Sequence, residues 1–330
     1  MTRFLASLLL LLLAVPAIGI AQNFSQFTEF YRSVRVNGLE QLVFAHPSTD
    51  PARDPSAYGV QRDSLGRPTM VMRFFFGNPH TRGLWTYLRI IYISNPEAGT
   101  TLQRRTFHAP NNAPMQVAYA HGEEALHRAN GEIVRYAQLD REDRLLGKVP
   151  IVTACRYRYT APNTLLQEWR FQSGKLHWVA NNYPDSTQRF FVPAPNGAYF
   201  RTLTLDGNGE VVQEQLQGIN KRPFPYQPGI YAVRYLRDSL GQITSIQYLG
   251  NNGQLAADTS GIASINLEYD DWGREVAWKA FGIDGKPHGR RSDGIATIIR
   301  QYNDFDGTLA SEERTDAAGA AITDAPADAP

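Results

Sequence analysis

Apolar and polar residues alternate in short runs that end at turn residues. Val233, Tyr235 and Arg237 lead to Gly241; Ile265, Leu267 and Tyr269 lead to Gly273; Leu203 and Leu205 lead to Gly209; Tyr157 and Tyr159 lead to Asn163. A period of two with β-branched and aromatic side chains predicts half-buried strands. The turns themselves recur. Gly66, Gly99, Gly131, Asn163, Gly209, Gly241, Gly273 and Gly307 are spaced 33, 32, 32, 46, 32, 32 and 34 residues apart. Asp63, Asp206, Asp238, Asp270 and Asp304 stand three residues before five of them. Asp at the first position and Gly at the fourth predicts a type I turn, the carboxylate bonding the turn backbone and Gly supplying positive φ on exit.

Two further positions keep the same period. Twelve residues after the main turn stand Asn78, Asn111, Asp143, Gly253, Gly285 and Gly319, which predict a second turn. Eight residues after it stand Phe74, Phe107, Leu139, Phe171, Leu249 and Phe281, with Gln217 and Thr315 breaking the series. One large apolar residue per unit is what a stacked core needs, since each unit buries its face only against its neighbours. Unit starts align at Gly197, Gly229, Gly261 and Gly294, the last three each followed by Ile. The expectation is an all-β tandem β-hairpin array over 41–316, about eight units of roughly 32 residues. An open twisted sheet or solenoid is favoured over a closed propeller or barrel, because such a unit barely holds the four strands of a blade.

The ends read differently. Residues 1–21 have the form of a secretory signal: Arg3, an apolar run from Leu5 to Val15, then Gly19-Ile20-Ala21 as a cleavage site. An uncleaved anchor is the alternative, since Phe4 to Ala21 is nearly long enough to span a bilayer. Over 22–40, Phe24, Phe27, Tyr31 and Val34 fall on one helical face before Gly38, which predicts a helix capping the first sheet edge. The run 317–330, rich in Ala, Asp and Pro, predicts a disordered tail.

The C-terminal units resemble a known kind of repeat. Tyr269-Asp270-Asp271-Trp272-Gly273, Phe281-Gly282-Ile283-Asp284-Gly285-Lys286-Pro287, Asp293-Gly294-Ile295-Ala296 and Tyr302-Asn303-Asp304-Phe305-Asp306-Gly307 look like the YD-x-x-G … D-G-K-P tandem repeats of bacterial exported proteins. These are loosely similar to Rhs YD, WG and MORN-type repeats. The resemblance covers roughly the last third of the chain. It implies β-hairpin arrays with scaffold or binding roles and no shared catalytic residues.

Composition narrows the function. Removal of Arg3 with the signal would leave 32 basic residues against 32 acidic ones, a balance that argues against a nucleic-acid or polybasic membrane role. Cys155 stands alone, so no internal disulfide is available. No segment after the signal is long and apolar enough to cross a membrane as a helix. Localisation is expected to be exported, in the periplasm, at the surface or outside the cell.

Chemistry-bearing motifs are few. Asp206-Gly207-Asn208-Gly209-Glu210 starts like a calcium loop, but the twelfth position is Gln217 and the segment sits on a main turn. Asp304 and Asp306 have the same turn reading. His121, Glu123, Glu124 and His127 lack zinc-hydrolase spacing and read as solvated loop residues. Tryptophans and tyrosines inside the repeat register read as sheet core rather than as a sugar platform. No metal or cofactor is expected, and no catalytic residue is assigned.

The interval of 46 residues from Asn163 to Gly209 exceeds the repeat by 14, and extra residues in an array leave as a loop, often on the binding face. That stretch holds His177, Trp178, Asn181, Asn182, Tyr183 and Arg189, a composition typical of contact surfaces. The expected function is a non-enzymatic binding or scaffold protein of the bacterial cell envelope that recognises a peptide or glycan partner. The alternatives are an exported polysaccharide hydrolase with its site on repeat loops, and a purely structural surface element.

Overall fold

A computed structural model describes residues 26–79, 86–109, 113–117, 120–142, 154–170, 198–303 and 307–322. Its strands are β1 (Glu29–Val36), β2 (Leu42–Pro47), β3 (Ala57–Arg62), β4 (Pro68–Phe75), β5 (Asn78–Pro79), β6 (Tyr87–Asn95) and β7 (Thr100–His108). There follow β8 (Gly122–Arg128), β9 (Ile133–Leu139), β10 (Ala154–Ala161), β11 (Thr164–Arg170), β12 (Phe200–Leu205), β13 (Val211–Gln217) and β14 (Pro223–Phe224). The last are β15 (Ala232–Arg237), β16 (Ile243–Leu249), β17 (Ser264–Tyr269), β18 (Glu275–Phe281), β19 (Thr297–Tyr302) and β20 (Leu309–Thr315). Among the described residues there is no helix.

Pairing is antiparallel throughout. From β3 to β20 the long strands follow one another as a meander, with the two-residue β5 and β14 flanking β4 and β13. The start is out of order: β1 lies between β2 and β3 and pairs with both. Among the described residues nothing joins β20 to β2, so the sheet is an open hairpin array and not a closed barrel.

The main turns have the chemistry that their sequence predicts. At Asp63, Asp206, Asp238 and Asp270 the Oδ1 atom accepts the N–H groups two and four residues on. Gly66, Gly209, Gly241 and Gly273 have φ of 75° to 77°, and each is followed by a β-bulge that restores register. Asn163 takes the left-handed conformation that Gly has elsewhere, with φ of 57°. The second turn is equally regular at Gly253, Gly285 and Gly319. Lys221 fills that place in the β13 unit with φ of 61°, a position its residue type conceals.

The apolar ladder is largely buried: Phe74, Phe107, Leu139 and Leu249 lie in the core and Phe281 is half-buried. Phe171 lies outside the described residues. Tyr157, Tyr226, Tyr235 and Tyr248 join Leu203, Val233 and Ile246 in the largest core cluster, so these tyrosines are sheet core.

Three expectations are corrected. The N-terminal capping helix is absent where described: Glu29–Val36 is strand β1. Phe27, Tyr31 and Val34 do match helical spacing, but Phe30, Tyr31, Val34 and Val36 also favour strands, and two sheet neighbours decide the matter. Of His121, Glu123, Glu124 and His127, only His121 lies in a loop, half-buried before β8. The last three lie on β8, where Glu124 and His127 are buried by neighbouring strands. At the C-terminus, the turn at Asp316–Gly319 and the bridge from Thr315 to Ala321 continue the repeat past position 316. Residues 323–330 lie outside the described residues.

Candidate functional site

The array coils, and its own N-terminal hairpin crosses the coil. The turn between β1 and β2 meets the β12–β13 turn, where Gly38 N–H donates to Gly209 O at 2.9 Å and Asn37 Nδ2 to Asn208 O at 3.1 Å. One turn further on, Arg35 Nη2 donates to Glu210 Oε1 at 2.6 Å and its guanidinium covers Gly241. Arg32 lies over the Trp272 ring at 5.3 Å, and His46 rests on Gly273. Pro55 covers Gly307. The strap thus spans four successive main turns. The contrast with earlier units is sharp: a Cβ on Gly66, Gly99 or Gly131 would meet nothing within 4 Å.

Beneath the strap runs a row of buried and half-buried polar groups, built on the strand face that otherwise holds the core. Arg105 pairs with Glu123 at 3.2 Å and Glu40 at 3.6 Å, and Tyr157 Oη donates to Glu40 Oε1 at 3.3 Å. Gln167 Nε2 donates to Tyr157 Oη at 2.9 Å, and Arg201 Nε to Gln167 Oε1 at 2.9 Å. Arg201 Nη1 then reaches Glu214 Oε2 at 3.0 Å, whose other oxygen accepts from Tyr235 Oη at 2.8 Å. Tyr157 stands directly opposite Gln167, and Gln167 opposite Arg201, so strand register assembles this stretch of the row while the β1–β2 turn supplies Glu40. Burial pushes the hydroxyls of Tyr157, Tyr226 and Tyr235 well above the ordinary tyrosine range. They stay protonated, and those of Tyr157 and Tyr235 serve as donors. His127 is held below its usual value by burial, and its Nε2 lies 2.8 Å from Leu39 O. Every carboxylate in the row has a cationic or hydroxyl partner. The arrangement fixes strands to one another and leaves no acid–base pair facing solvent.

An accessible concavity lies elsewhere. A shallow groove of about 590 Å³ runs between the β15–β16 and β17–β18 turns, lined by His46, Asp238, Gln242, Glu268, Tyr269 and Asp271 among others. Its polar groups largely serve the fold. Asp238 and Asp270 close their turns, Arg274 pairs with Asp270 at 2.6 Å, and Gln242 Nε2 donates to Gly273 O at 3.3 Å. Tyr269 donates to Ile243 O at 2.9 Å, and burial with the nearby Glu275 charge pushes its hydroxyl up to about 12. Among the described residues no group of three or more His, Cys, Asp or Glu could hold a metal ion. No helix among them is long and apolar enough to cross a membrane.

His177, Trp178, Asn181, Asn182, Tyr183 and Arg189 lie outside the described residues, as do Asp304 and Asp306. Asp206 is a turn residue. Its Oδ1 accepts two backbone N–H groups, at 2.8 Å from Asn208 and 2.9 Å from Glu210. Sequence reasoning passed over Arg35, Glu40, Arg201, Glu210 and Glu214. The available signal was a charged residue at a core-facing position of an alternating strand, as Arg201 stands before Leu203 and Leu205.

No protein-family model matches the chain, and no curated protein matches it. Among solved structures it is similar to the crystal structure of TcdB2-TccC3-TEV, at 10% identity over 84% of this chain and 11% of that one, with a TM-score of 0.31. It is also similar to the crystal structure of TcdB2-TccC3-Cdc42, at 10% identity over 88% of this chain and 20% of that one, with a TM-score of 0.20. The chain therefore spans a fifth or less of the solved chains it matches. At that identity and superposition, its own strand pairing remains the guide to its fold.

Proposed function

We propose that this chain is an exported, non-enzymatic structural scaffold: a coil of β-hairpin units held by its own N-terminal strap. The observation that carries the reading is the use made of its buried charges. Glu40 and Glu210 bridge elements far apart in sequence, where Arg105 and Tyr157 reach Glu40 and Arg35 reaches Glu210 beside Arg237, and Glu214 ties neighbouring strands through Arg201 and Tyr235. Carboxylates committed on all sides hold shape and are poorly placed for proton transfer. Export rests on the signal-like residues 1–21. Any partner, a protein or glycan of the cell envelope, would engage the His177–Arg189 segment, whose composition supports that role.

Two experiments test this. Glu40→Gln and Glu214→Gln should lower the unfolding midpoint, and neither the parent nor the variants should hydrolyse envelope polysaccharides. Turnover by the parent that either substitution abolishes would overturn the scaffold reading. For the partner segment, Trp178→Ala should leave the melting temperature unchanged and remove signal on a glycan array or in envelope pull-downs. Lost stability with unchanged capture would make that segment structural.

A further inference from the structure

We propose that the outer edge of β20 is a docking site for an extended strand of a partner chain. The strand would add antiparallel at Ser311–Glu313 and carry the pattern Gly-Ile-x-small-Val/Ile. This goes beyond the scaffold reading and does not depend on it.

The site is defined by repetition. In five units the second strand of a hairpin receives the next unit's first strand at the same place, four to six residues after the main-turn residue. The receiving segments are Met70–Met72, Arg135–Ala137, Gln213–Gln215, Ser245–Gln247 and Ala277–Lys279. The same offset from Gly307 gives Ser311–Glu313. The unit around them is complete: β19 and β20 pair in full register, and Ile322 N–H closes the second turn on Arg314 O. Among the described residues, however, Ser311–Glu313 pair only with β19. Ser311 is exposed, whereas its counterparts Met70, Arg135 and Gln213 are half-buried and Ser245 and Ala277 are buried. The edge therefore continues an interface that the chain has already formed five times.

The array also shows what the occupant looks like. Incoming strands begin Gly229-Ile230-Tyr231-Ala232-Val233, Gly261-Ile262-Ala263-Ser264-Ile265 and Gly294-Ile295-Ala296-Thr297-Ile298. Each Gly has a φ between 73° and 88°, and each following Ile is buried, at 3% exposure or less. Main-chain bonds supply affinity and alternate side chains supply specificity in this mode of recognition. Ala280 N–H donates to Ala296 O across a unit boundary, so alternation turns the peptide group of Trp278 toward Ile298. By the same offset the peptide group of Glu312 faces outward. The acidic side chains of Glu312 and Glu313 keep the edge from pairing indiscriminately.

The probe is a labelled peptide with the sequence of residues 293–302, titrated into the full chain and read by fluorescence anisotropy. Saturable binding is expected. Glu312→Pro removes the outward N–H at a position where an edge strand tolerates proline, and should weaken binding about tenfold, whereas Glu312→Gln should retain it. If Glu312→Pro fails to fold, a peptide N-methylated at the residue matching Ile298 removes the facing hydrogen bond and should bind about tenfold more weakly to the parent chain. No binding of the parent peptide, or binding indifferent to both the proline and the N-methyl group, would overturn the proposal.

Discussion

Truncation of Arg35 to Ala tests the strap directly. Arg35 donates from Nε and Nη2 to Glu210 Oε1, at 3.0 and 2.6 Å. The Glu210 side chain is only 5% exposed, and after truncation its remaining cation is Arg237 at 3.9 Å. Removing one partner of a buried ion pair costs about 3–5 kcal/mol, and a hydrogen bond to a charged group is worth about 1.5–3 kcal/mol. Arg237 stays nearby and Arg35 is itself 27% exposed, which places the expected loss at the lower end, about 2–3 kcal/mol. Against a typical total of about 5–15 kcal/mol this is a large fraction. Urea unfolding followed by tryptophan fluorescence measures it, since Trp272 lies beneath Arg32 of the same strand. A cycle with Glu210→Ala should return a coupling of about 1–3 kcal/mol. A loss below about 0.5 kcal/mol, or no coupling, would show that the hairpin merely rests on the turns.

The covered and uncovered turns should respond differently to the same substitution. Gly66→Ala should cost about 1–2 kcal/mol for a left-handed residue. Gly209→Ala should cost about 1–3 kcal/mol more, because its Cβ would lie 2.8 Å from Leu39 Cδ1 and 2.9 Å from Asn37 Nδ2. Equal losses in thermal unfolding would contradict the strap. Phe74→Ala should cost about 3–5 kcal/mol, with hydrogen-exchange protection lost mainly in β3, β4 and β6; uniform loss along the chain would contradict nearest-neighbour stacking. Acid stability follows from Glu29 and Glu312. Hydrogen bonds from Arg62 hold the first below its ordinary 4.5, and those from Arg300 and Arg314 hold the second there. Because both values fall on folding, this stabilisation is complete above pH 4.5 and disappears as pH drops below it. Glu312→Gln should flatten that acid limb in pH-dependent melting, and an unchanged slope would refute the assignment.

The sequence by itself determined whatever is local. Asp63, Asp206, Asp238 and Asp270 bond their own turns, and Gly at the exit takes positive φ, so turn positions and hairpin register follow from residues within a few places of one another. The period-two pattern placed Leu203, Val233 and Leu267 in the core for the same reason. Lys221 was missed because a lysine carries no turn signal and only the surrounding hairpin forces its conformation. The tertiary structure alone decided the rest. Residues 29–36 fit a helical stripe and a strand about equally, and the neighbours β2 and β3 settled the choice. Glu40, Glu210 and Glu214 look like surface residues until the strap and the strand register bring Arg105, Arg35 and Arg201 to them. Those partners lie up to 175 positions away. Propensity acts over a few residues, whereas a buried charge is tolerated only by a partner that folding delivers.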